Sequence, residues 1–316
     1  MRAVLFDGTL HLAEEYPTPQ PAAGEVRIRT TLAGICNTDL EIVQGYAAFQ
    51  GVLGHEFVGV VDQAEDPTLP GRRVVGEINI GCGRCETCRA GRPHHCPHRA
   101  ALGIRGHDGA LAEYLCLPAA NLHPVPDDIP DEVAVFTEPL AAACEVLEQV
   151  HVRPTDRAIV LGDGKLGLLV AQVLALTGCR LTVVGRHESK LAILAARGIS
   201  THLGDEGLDG DADLVVECTG RAEGFQTARR LVRPGGTLVL KSTYHGQATV
   251  NLSSLVVDEI RLVGSRCGPF PAALRLLARH LVEVTPLITA LYPLHQALTA
   301  FEHARQRGAL KILVRP

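Results

Sequence analysis

Four cysteines in one short stretch have the spacing of a structural zinc site. They are Cys82, Cys85, Cys88 and Cys96. Four thiolates arranged as C-x2-C-x2-C-x7-C can close tetrahedrally around one zinc ion, at about 2.3 Å per sulfur. A disulfide cluster is the alternative, but clusters of that kind are typical of short secreted chains. The spacing therefore predicts a structural zinc with no position open to substrate, and any chemistry must come from other residues.

Cys36, His55 and Glu56 form a second candidate set. Cys36 ends an apolar, strand-like run, and His55 and Glu56 follow a turn flanked by glycine. One thiolate, one imidazole and one carboxylate suit a zinc ion that keeps a position open for substrate. Taken alone, however, a buried structural cysteine and a histidine satisfied inside the core are the default interpretation.

A glycine-rich loop supplies a third candidate site, for a dinucleotide. Gly162-x-Gly164-x-x-Gly167 follows a short apolar run and opens a helical pattern, with Lys165 and Leu166 completing the loop. The first glycine would make the turn, the second would let backbone approach a pyrophosphate, and the third would let the helix pack on the strand. Free N–H groups at the helix start would face the phosphates. Glycines that serve packing alone are the alternative.

The residues after the second strand bear on the choice between NADP and NAD. An acidic residue normally accepts the ribose hydroxyls of NAD there, whereas this chain has Gly185 and Arg186. The glycine leaves room for a 2′-phosphate, which the guanidinium can hold bidentately, and Lys190 would add positive charge. A basic helix start facing solvent is the alternative. The sequence favours NADP over NAD, although Asp163 adds negative charge near the pyrophosphate, which Lys165 would offset.

The elements that position these residues divide into two kinds. To about residue 120 the chain reads as short strands broken by Gly and Pro, a loop-rich β module. We then expect strands at 158–161, 181–184, 213–218 and 237–241, and helices at 165–178, 188–197 and 222–232. This alternation predicts an α/β fold with a parallel sheet and right-handed crossovers. After residue 264 we expect one helix at 272–280 and a final strand at 311–314.

Composition excludes several classes of function. At 316 residues the chain is long enough for two domains. A net charge of −5 without a basic run argues against nucleic acid and anionic membranes as partners. No apolar stretch approaches the roughly 20 residues of a membrane span. Ten cysteines without an export signal predict a reducing, cytoplasmic location.

Several segments resemble the zinc-dependent medium-chain dehydrogenase/reductase family. They are Gly34-Ile35-Cys36-Asn37-Thr38-Asp39, Gly54-His55-Glu56, the cysteine tetrad, the glycine loop and Glu217-Cys218-Thr219-Gly220. The resemblance spans essentially the whole chain in the right order. It implies a GroES-like β-rich catalytic domain (1–138 and 265–316) carrying the zinc knuckle (82–96), and a doubly wound Rossmann domain (139–264) for the cofactor.

The resemblance also implies site residues. Cys36 and His55 would be ligands of a catalytic zinc, with Glu56 as a ligand or a nearby switch. The third ligand would be Glu138, which precedes Pro-Leu as in the polyol and sugar branch, whereas Cys144 would be packed inside a helix. Two zinc ions per chain are therefore expected, one catalytic and one structural.

The implied activity is hydride transfer between a secondary alcohol, polyol or sugar hydroxyl and NADP (or NAD). Thr38 would accept the hydrogen bond of the substrate hydroxyl, and Glu41 stands where many relatives carry a histidine that passes the proton to solvent. Cys218, Thr219 and Gly220 would lie beside the cofactor. Similar proteins form homodimers or homotetramers.

Two other functions are compatible with parts of this sequence. A zinc-free enoyl or quinone reductase of the same superfamily lacks the cysteine tetrad and the set of Cys36, His55 and Glu138. A catalytically inactive, cofactor-binding protein that keeps the fold is the second alternative, and Glu41 lends it some weight.

Overall fold

The computed structural model describes residues 1–243 and 249–316, which form two compact units. The first unit comprises Met1–Glu138, Leu274–Arg279 and Leu287–Pro316, and the second comprises Pro139–Ala273 and His280–Pro286. The domain boundaries expected from the sequence, 1–138 with 265–316 and 139–264, remain a prediction about which segments fold together.

The N-terminal segment is rich in strands. They are β1 (Ala3–Phe6), β2 (Leu10–Ala13), β3 (Glu25–Ile35), β4 (Gly51–Val52), β5 (Glu56–Gln63), β6 (Arg73–Gly76), β7 (Asn79–Ile80), β8 (Ala100–Ala101), β9 (Tyr114–Pro118) and β10 (Leu122–Pro124). The helices of this segment are α1 (Asn37–Val43), α2 (Glu86–Arg89), α3 (Asp131–Ala134) and α4 (Thr137–Gln149).

The middle segment alternates strand and helix. Its elements are β11 (Arg157–Leu161), α5 (Lys165–Ala175), β12 (Arg180–Gly185), α6 (Glu188–Ala195), β13 (Ser200–Leu203), β14 (Ala212–Glu217), α7 (Ala222–Leu231), β15 (Val232–Leu240), α8 (Leu252–Val257) and β16 (Arg261–Gly264). The C-terminal segment adds α9 (Phe270–Ala278), β17 (Ile288–Pro293), α10 (Ala297–Ala304) and β18 (Lys311–Arg315). Short 3₁₀ turns lie at Tyr46–Ala48, Pro93–His95, Ala119–Asn121, Thr285–Leu287 and Leu294–Gln296.

The main sheet of the first unit has the order β10-β6-β5-β3-β18-β17, with β9 also paired to β3. Alternate residues of β3 are buried as far as Leu32, and from there to Ile35 every residue is buried, so both faces of the strand are covered at this end. In the register, Gly34 lies between Glu56 of β5 and Leu313 of β18. The ends of three strands that are far apart in sequence therefore meet at one point.

The second unit contains a six-stranded sheet of order β13-β12-β11-β14-β15-β16, and all of its strand pairs are parallel. The chain runs outward through β11, β12 and β13, then returns to the centre and runs the other way from β14. This is the doubly wound Rossmann order, in which ligands bind at the carboxyl ends of the strands where the direction reverses. The predicted α/β class and parallel sheet are confirmed.

The elements expected after residue 264 were only part of those that the structure shows there. The helix expected at 272–280 is α9 (Phe270–Ala278) and the final strand is β18, but β17 and α10 were not predicted. Helix α10 buries Ala297, Ala300 and Phe301, a three-and-four spacing that indicates an amphipathic helix. Strands β13 and β16 and helix α8 in the second unit were also missed. Within the described ranges, no helix combines the length and apolar character needed to cross a membrane.

Candidate active site and dinucleotide loop

The cysteine tetrad is assembled as the spacing predicts. The sulfurs of Cys82, Cys85, Cys88 and Cys96 all lie within 4.8 Å of one another. Backbone N–H groups point at these sulfurs: Cys88 N lies 3.4 Å from Cys85 Sγ and Cys82 N lies 3.5 Å from Cys96 Sγ. The N–H groups of Arg84 and Cys85 lower the pKa of Cys82 to about 6, whereas burial and the Cys85 thiol raise the pKa of Cys88 to about 12. A closed four-sulfur site of this kind suits structural zinc.

A second group of side chains that could hold a metal ion lies where β3, β5 and β18 meet. Donor atoms of Cys36, His55 and Glu56 lie within 4.8 Å of one another. Cys36 follows the last residue of β3 and precedes α1, and Glu56 is the first residue of β5. His55 is 3% exposed and Glu56 is 0% exposed. Pairing of β3 with β5 thus brings together residues that are about twenty positions apart in the sequence.

Asp39 fixes the orientation of this group, and the sequence did not assign it that role. Its buried carboxylate accepts hydrogen bonds from the N–H groups of Cys36 (2.8 Å) and Gly54 (3.1 Å). Its Oδ1 also lies 3.4 Å from His55 Nδ1, the position of a carboxylate that orients a metal-binding histidine. Burial lowers the pKa of His55, but the charges of Asp39 and Cys36 outweigh burial and hold that pKa well above its usual value.

Glu56 has a buried partner that the sequence gave no means of finding. Lys311, at the start of β18, is 0% exposed, and its Nζ forms an ion pair with Glu56 Oε2. Burial lowers the pKa of Lys311, but Glu56 and then Cys36 raise it above the usual value, so the amine stays charged. The Phe136 ring lies 5.7 Å from Nζ. A Cβ at Gly34 would overlap Glu56 Oε2, so a side chain there would displace this carboxylate from its place beside Lys311.

The other predicted residues of this site lie on α1 and α4. Thr38 is half-buried in the first turn of α1, with Oγ1 3.7 Å from Cys36 Sγ, and Glu41 is half-buried one turn further on. Glu138 lies in the first turn of α4, half-buried, and its charge also acts on the pKa of Lys311. Glu138 does not join the three donors that share mutual distances within 4.8 Å. Cys144 is buried on α4, as expected.

The donor set fits zinc. Glu56 Oε1 is buried and has no hydrogen-bond partner among the described residues. A buried polar atom without a partner is costly, and a cation beside it removes the cost. Sulfur, imidazole nitrogen and carboxylate oxygen are the three ligand types of protein zinc sites. The buried Lys311 ammonium already neutralises part of the Glu56 charge, so any ion there would share that carboxylate with the amine.

The glycine loop has the backbone shape of a phosphate cradle. Gly162 has φ +122°, and a Cβ there would lie 2.6 Å from the carbonyl oxygen of Cys218. A Cβ on Gly167 would overlap the carbonyl oxygen of Gly162, whereas one on Gly164 would meet no atom within 4 Å. The first and third glycines therefore permit close packing, and the second leaves open space in front of α5, where a pyrophosphate can approach N–H groups. Lys165 and Leu166 begin that helix, both half-buried.

The turn after β12 differs from its sequence-based interpretation. A Cβ on Gly185 would lie 2.7 Å from Asp163 Oδ2 and 2.8 Å from Leu191 Cδ2, so the expected room beside this glycine is already filled. Asp163 points toward this turn: its Oδ2 accepts hydrogen bonds from the N–H groups of Arg186 (2.7 Å) and His187 (2.6 Å). Arg186 is exposed, and Lys190 is half-buried in the first turn of α6.

The loop after β14 completes the carboxyl edge of the sheet. Glu217, at the end of β14, is 2% exposed, and its Oε1 accepts hydrogen bonds from Thr219 N (2.7 Å) and Thr219 Oγ1 (2.5 Å). Gly220 N donates to Ser242 Oγ at 2.8 Å. Burial raises the pKa of the Cys218 thiol, which stays protonated. Residues 162, 185 and 218 thus follow or end three adjacent parallel strands.

Comparisons with known proteins agree with this geometry. A family model described as the alcohol dehydrogenase GroES-like domain matches residues 22–127, and one described as zinc-binding dehydrogenase matches residues 166–279. An L-threonine 3-dehydrogenase of Anaeromyxobacter dehalogenans (strain 2CP-C) is 30% identical over 80% of this chain and 79% of its own length. A sorbitol dehydrogenase of Halalkalibacterium halodurans is 29% identical over 98% of this chain and 97% of its own.

A solved structure extends the comparison to the whole fold. A dehydrogenase of Sinorhizobium meliloti 1021, assigned as zinc-binding and crystallised with NADP, superposes with a TM-score of 0.90 at 27% identity. The match covers 100% of this chain and 99% of that protein. The chain therefore belongs to the zinc-dependent medium-chain dehydrogenase/reductase family of oxidoreductases.

Proposed function

We propose that this protein is a zinc-dependent dehydrogenase that transfers a hydride between a secondary alcohol, polyol or sugar hydroxyl and a nicotinamide dinucleotide. The observation that carries the proposal is the group formed by half-buried Cys36 with buried His55 and Glu56, three donor types that zinc accepts. The proposed dinucleotide cofactor is supported by two features of the second unit, its Rossmann strand order and the open space at Gly164.

Each residue of the site has a proposed role. When bound, zinc supplies Lewis acidity at the substrate hydroxyl and the nicotinamide supplies the hydride acceptor. Cys36 and His55 would hold the ion together with Glu138, and Glu56 would act as a further ligand or as a switch. Thr38, whose Oγ1 lies 3.7 Å from Cys36 Sγ, would accept the hydrogen bond of the substrate hydroxyl.

Glu41 is the proposed outlet for the proton. It lies three residues after Thr38 on the same helix, so the two side chains face the same side of α1. A half-buried carboxylate at this position can take a proton from a neighbouring hydroxyl, directly or through water, and release it to solvent. Replacing Glu41 by Gln, which cannot take up the proton, should then slow alcohol oxidation without changing zinc content.

We propose two zinc ions per chain, the second held by the cysteine tetrad. NADP is the proposed cofactor, because Arg186 is exposed at the end of β12 and Lys190 lies one turn further on, and NAD is the alternative. Among substrates, the sorbitol and L-threonine dehydrogenase relatives support a small polar alcohol. The cytoplasmic location predicted from the sequence remains a prediction.

We also propose that the protein forms a homodimer or homotetramer. Strand β16 lies at one edge of the parallel sheet, where Leu262 is 44% exposed. On α8, Val256 is 75% exposed and Val257 is 79% exposed. An apolar surface beside the edge strand of a sheet favours self-association. Val257→Asp should lower the mass measured by light scattering, and an unchanged mass would remove this surface from consideration.

One experiment tests the proposed activity. Purified protein is screened with NADP and with NAD against alcohols, polyols, aldoses and amino-alcohols, before and after chelation, with zinc measured on the same samples. We expect turnover with at least one class, loss of turnover on chelation, and recovery on adding zinc. Two bound zinc ions without turnover on any class would instead favour the inactive, cofactor-binding alternative.

A further inference from the structure

The carboxylate that is missing from the end of β12 is replaced from another loop. Rossmann proteins that bind NAD normally carry an acidic side chain at the end of the second strand, where it accepts the ribose hydroxyls. Here that position is Gly185, the last residue of β12. A Cβ built on Gly185 would lie 2.7 Å from both Cβ and Oδ2 of Asp163. The Asp163 carboxylate, which comes from the glycine loop, therefore occupies the place where an acidic side chain at 185 would begin.

Several contacts hold Asp163 in that place. Oδ2 accepts hydrogen bonds from Arg186 N at 2.7 Å and His187 N at 2.6 Å, and His187 Nδ1 lies 3.0 Å from Oδ2 and 3.1 Å from Oδ1. Asp163 as a whole is 8% exposed. Oδ2 accepts both backbone N–H groups, whereas among the described residues Oδ1 has a polar contact with the imidazole alone. Oδ1 can therefore still accept a hydrogen bond from a hydroxyl.

These contacts have opposite consequences for the two cofactors. The ribose of NAD offers hydroxyl donors, which a carboxylate can accept. A 2′-phosphate brings negative charge next to the Asp163 carboxylate, and the N–H groups of residues 186 and 187 that would receive a phosphate are already occupied. The exposed Arg186 guanidinium favours the phosphate. Asp163 and Arg186 therefore act in opposite directions on the same choice.

We infer that Asp163 is a specificity-determining residue, which accepts the adenosine ribose hydroxyls of NAD and opposes the 2′-phosphate of NADP. The inference rests on the proposed nicotinamide cofactor. It qualifies the preference for NADP: Arg186 favours NADP, and Asp163 keeps NAD usable by the same site. The opposing pair lies entirely within the second unit.

The test measures binding of two nucleotides that differ only in the phosphate. ADP-ribose and 2′-phospho-ADP-ribose are titrated by calorimetry into zinc-loaded wild type, Asp163→Asn and Arg186→Ala. Asn keeps an oxygen that can accept a backbone N–H but removes the charge. We expect Asp163→Asn to shift the affinity ratio toward 2′-phospho-ADP-ribose by about tenfold or more, and Arg186→Ala to shift it the other way.

The outcomes separate this inference from the proposed function. A ratio for Asp163→Asn within about twofold of wild type, or shifted toward ADP-ribose, would overturn the role of Asp163. Asp163→Ser, which also removes the charge, serves as a second variant if Asn perturbs folding, and the same shift is required of it. If wild type binds neither nucleotide, the proposal of a nicotinamide cofactor is wrong, and the proposed role of Asp163 is wrong with it.

Discussion

Replacing Lys311 by Met should destabilise the first unit far more than an exposed charge substitution does. Lys311 and Glu56 are each 0% exposed, and the ammonium is paired with Oε2 while Oε1 has no hydrogen-bond partner among the described residues. Removing the amine leaves a carboxylate buried without its counter-charge. Breaking a buried pair in this way costs about 3–5 kcal/mol. Met matches the length of the lysine stem and fills most of its volume, so the loss of charge dominates.

A double-mutant cycle isolates the ion pair. Glu56→Gln alone should cost a similar amount, because it leaves the ammonium unpaired, but the double variant should recover to within about 1–2 kcal/mol of wild type, since neither charge remains. Urea unfolding followed by circular dichroism, in excess zinc and again after chelation, gives the free energies of unfolding and separates the pair from metal binding.

The matched control is the pair of Arg315 and Glu132, whose side chains are 51% and 41% exposed. Glu132→Gln should cost less than about 1 kcal/mol. A stabilising role for the buried pair would be contradicted if Lys311→Met costs no more than this control, or if the double variant is no more stable than the less stable single variant.

Three further predictions concern metal and nucleotide. Cys36→Ser should abolish turnover with the fold intact, whereas Cys85→Ser should lower stability and zinc content together. Equal soluble yield and equal melting temperature of the two variants would contradict this difference between the two sites. Glu138→Gln should release the catalytic zinc if Glu138 is the third ligand, and full zinc retention would move that assignment to Glu56. Gly167→Ala should destabilise by roughly 1–3 kcal/mol because its Cβ meets the Gly162 carbonyl. Gly164→Ala should instead leave stability within about 0.5 kcal/mol while weakening nucleotide binding, and equal stability of the two glycine variants would contradict the loop geometry.

Residue types and spacing were enough to predict that the four cysteines would come together, because they lie close together in the sequence. The cysteine tetrad is contained in fifteen residues, and its spacing alone defines the site. The parallel sheet was predictable as well, since β11, β12 and β14 are short apolar runs bounded by glycine or helix starts. Strand β13 was missed because Ser200, Thr201 and His202 give it no apolar pattern.

Lys311 could not have been found by local reasoning. It lies 255 residues from Glu56 in the sequence, and a lysine before an apolar run reads as the exposed start of a strand. Only the register of β18 against β3 brings it next to the carboxylate. A side chain's partner across a sheet depends on strand order, which the sequence pattern leaves open.

Asp163 shows a different limit. Its position inside the glycine loop was visible in the sequence, and the negative charge suggested a contact with the pyrophosphate region. The direction of the side chain depends on how closely the loop approaches β12, where Gly185 leaves space for the Asp163 carboxylate. At Gly185 and at Gly34, the absence of a side chain lets a carboxylate lie close to the backbone. The sequence motifs do not show these two contacts.

The most direct test of the catalytic centre is anomalous diffraction at the zinc absorption edge, from crystals of enzyme that turns over an alcohol. We expect two peaks per chain: one within about 2.3 Å of Cys36 Sγ and in contact with His55, and one among the four sulfurs of the tetrad. A peak at the tetrad, with none beside Cys36 in active protein, would contradict a zinc-dependent mechanism at this site.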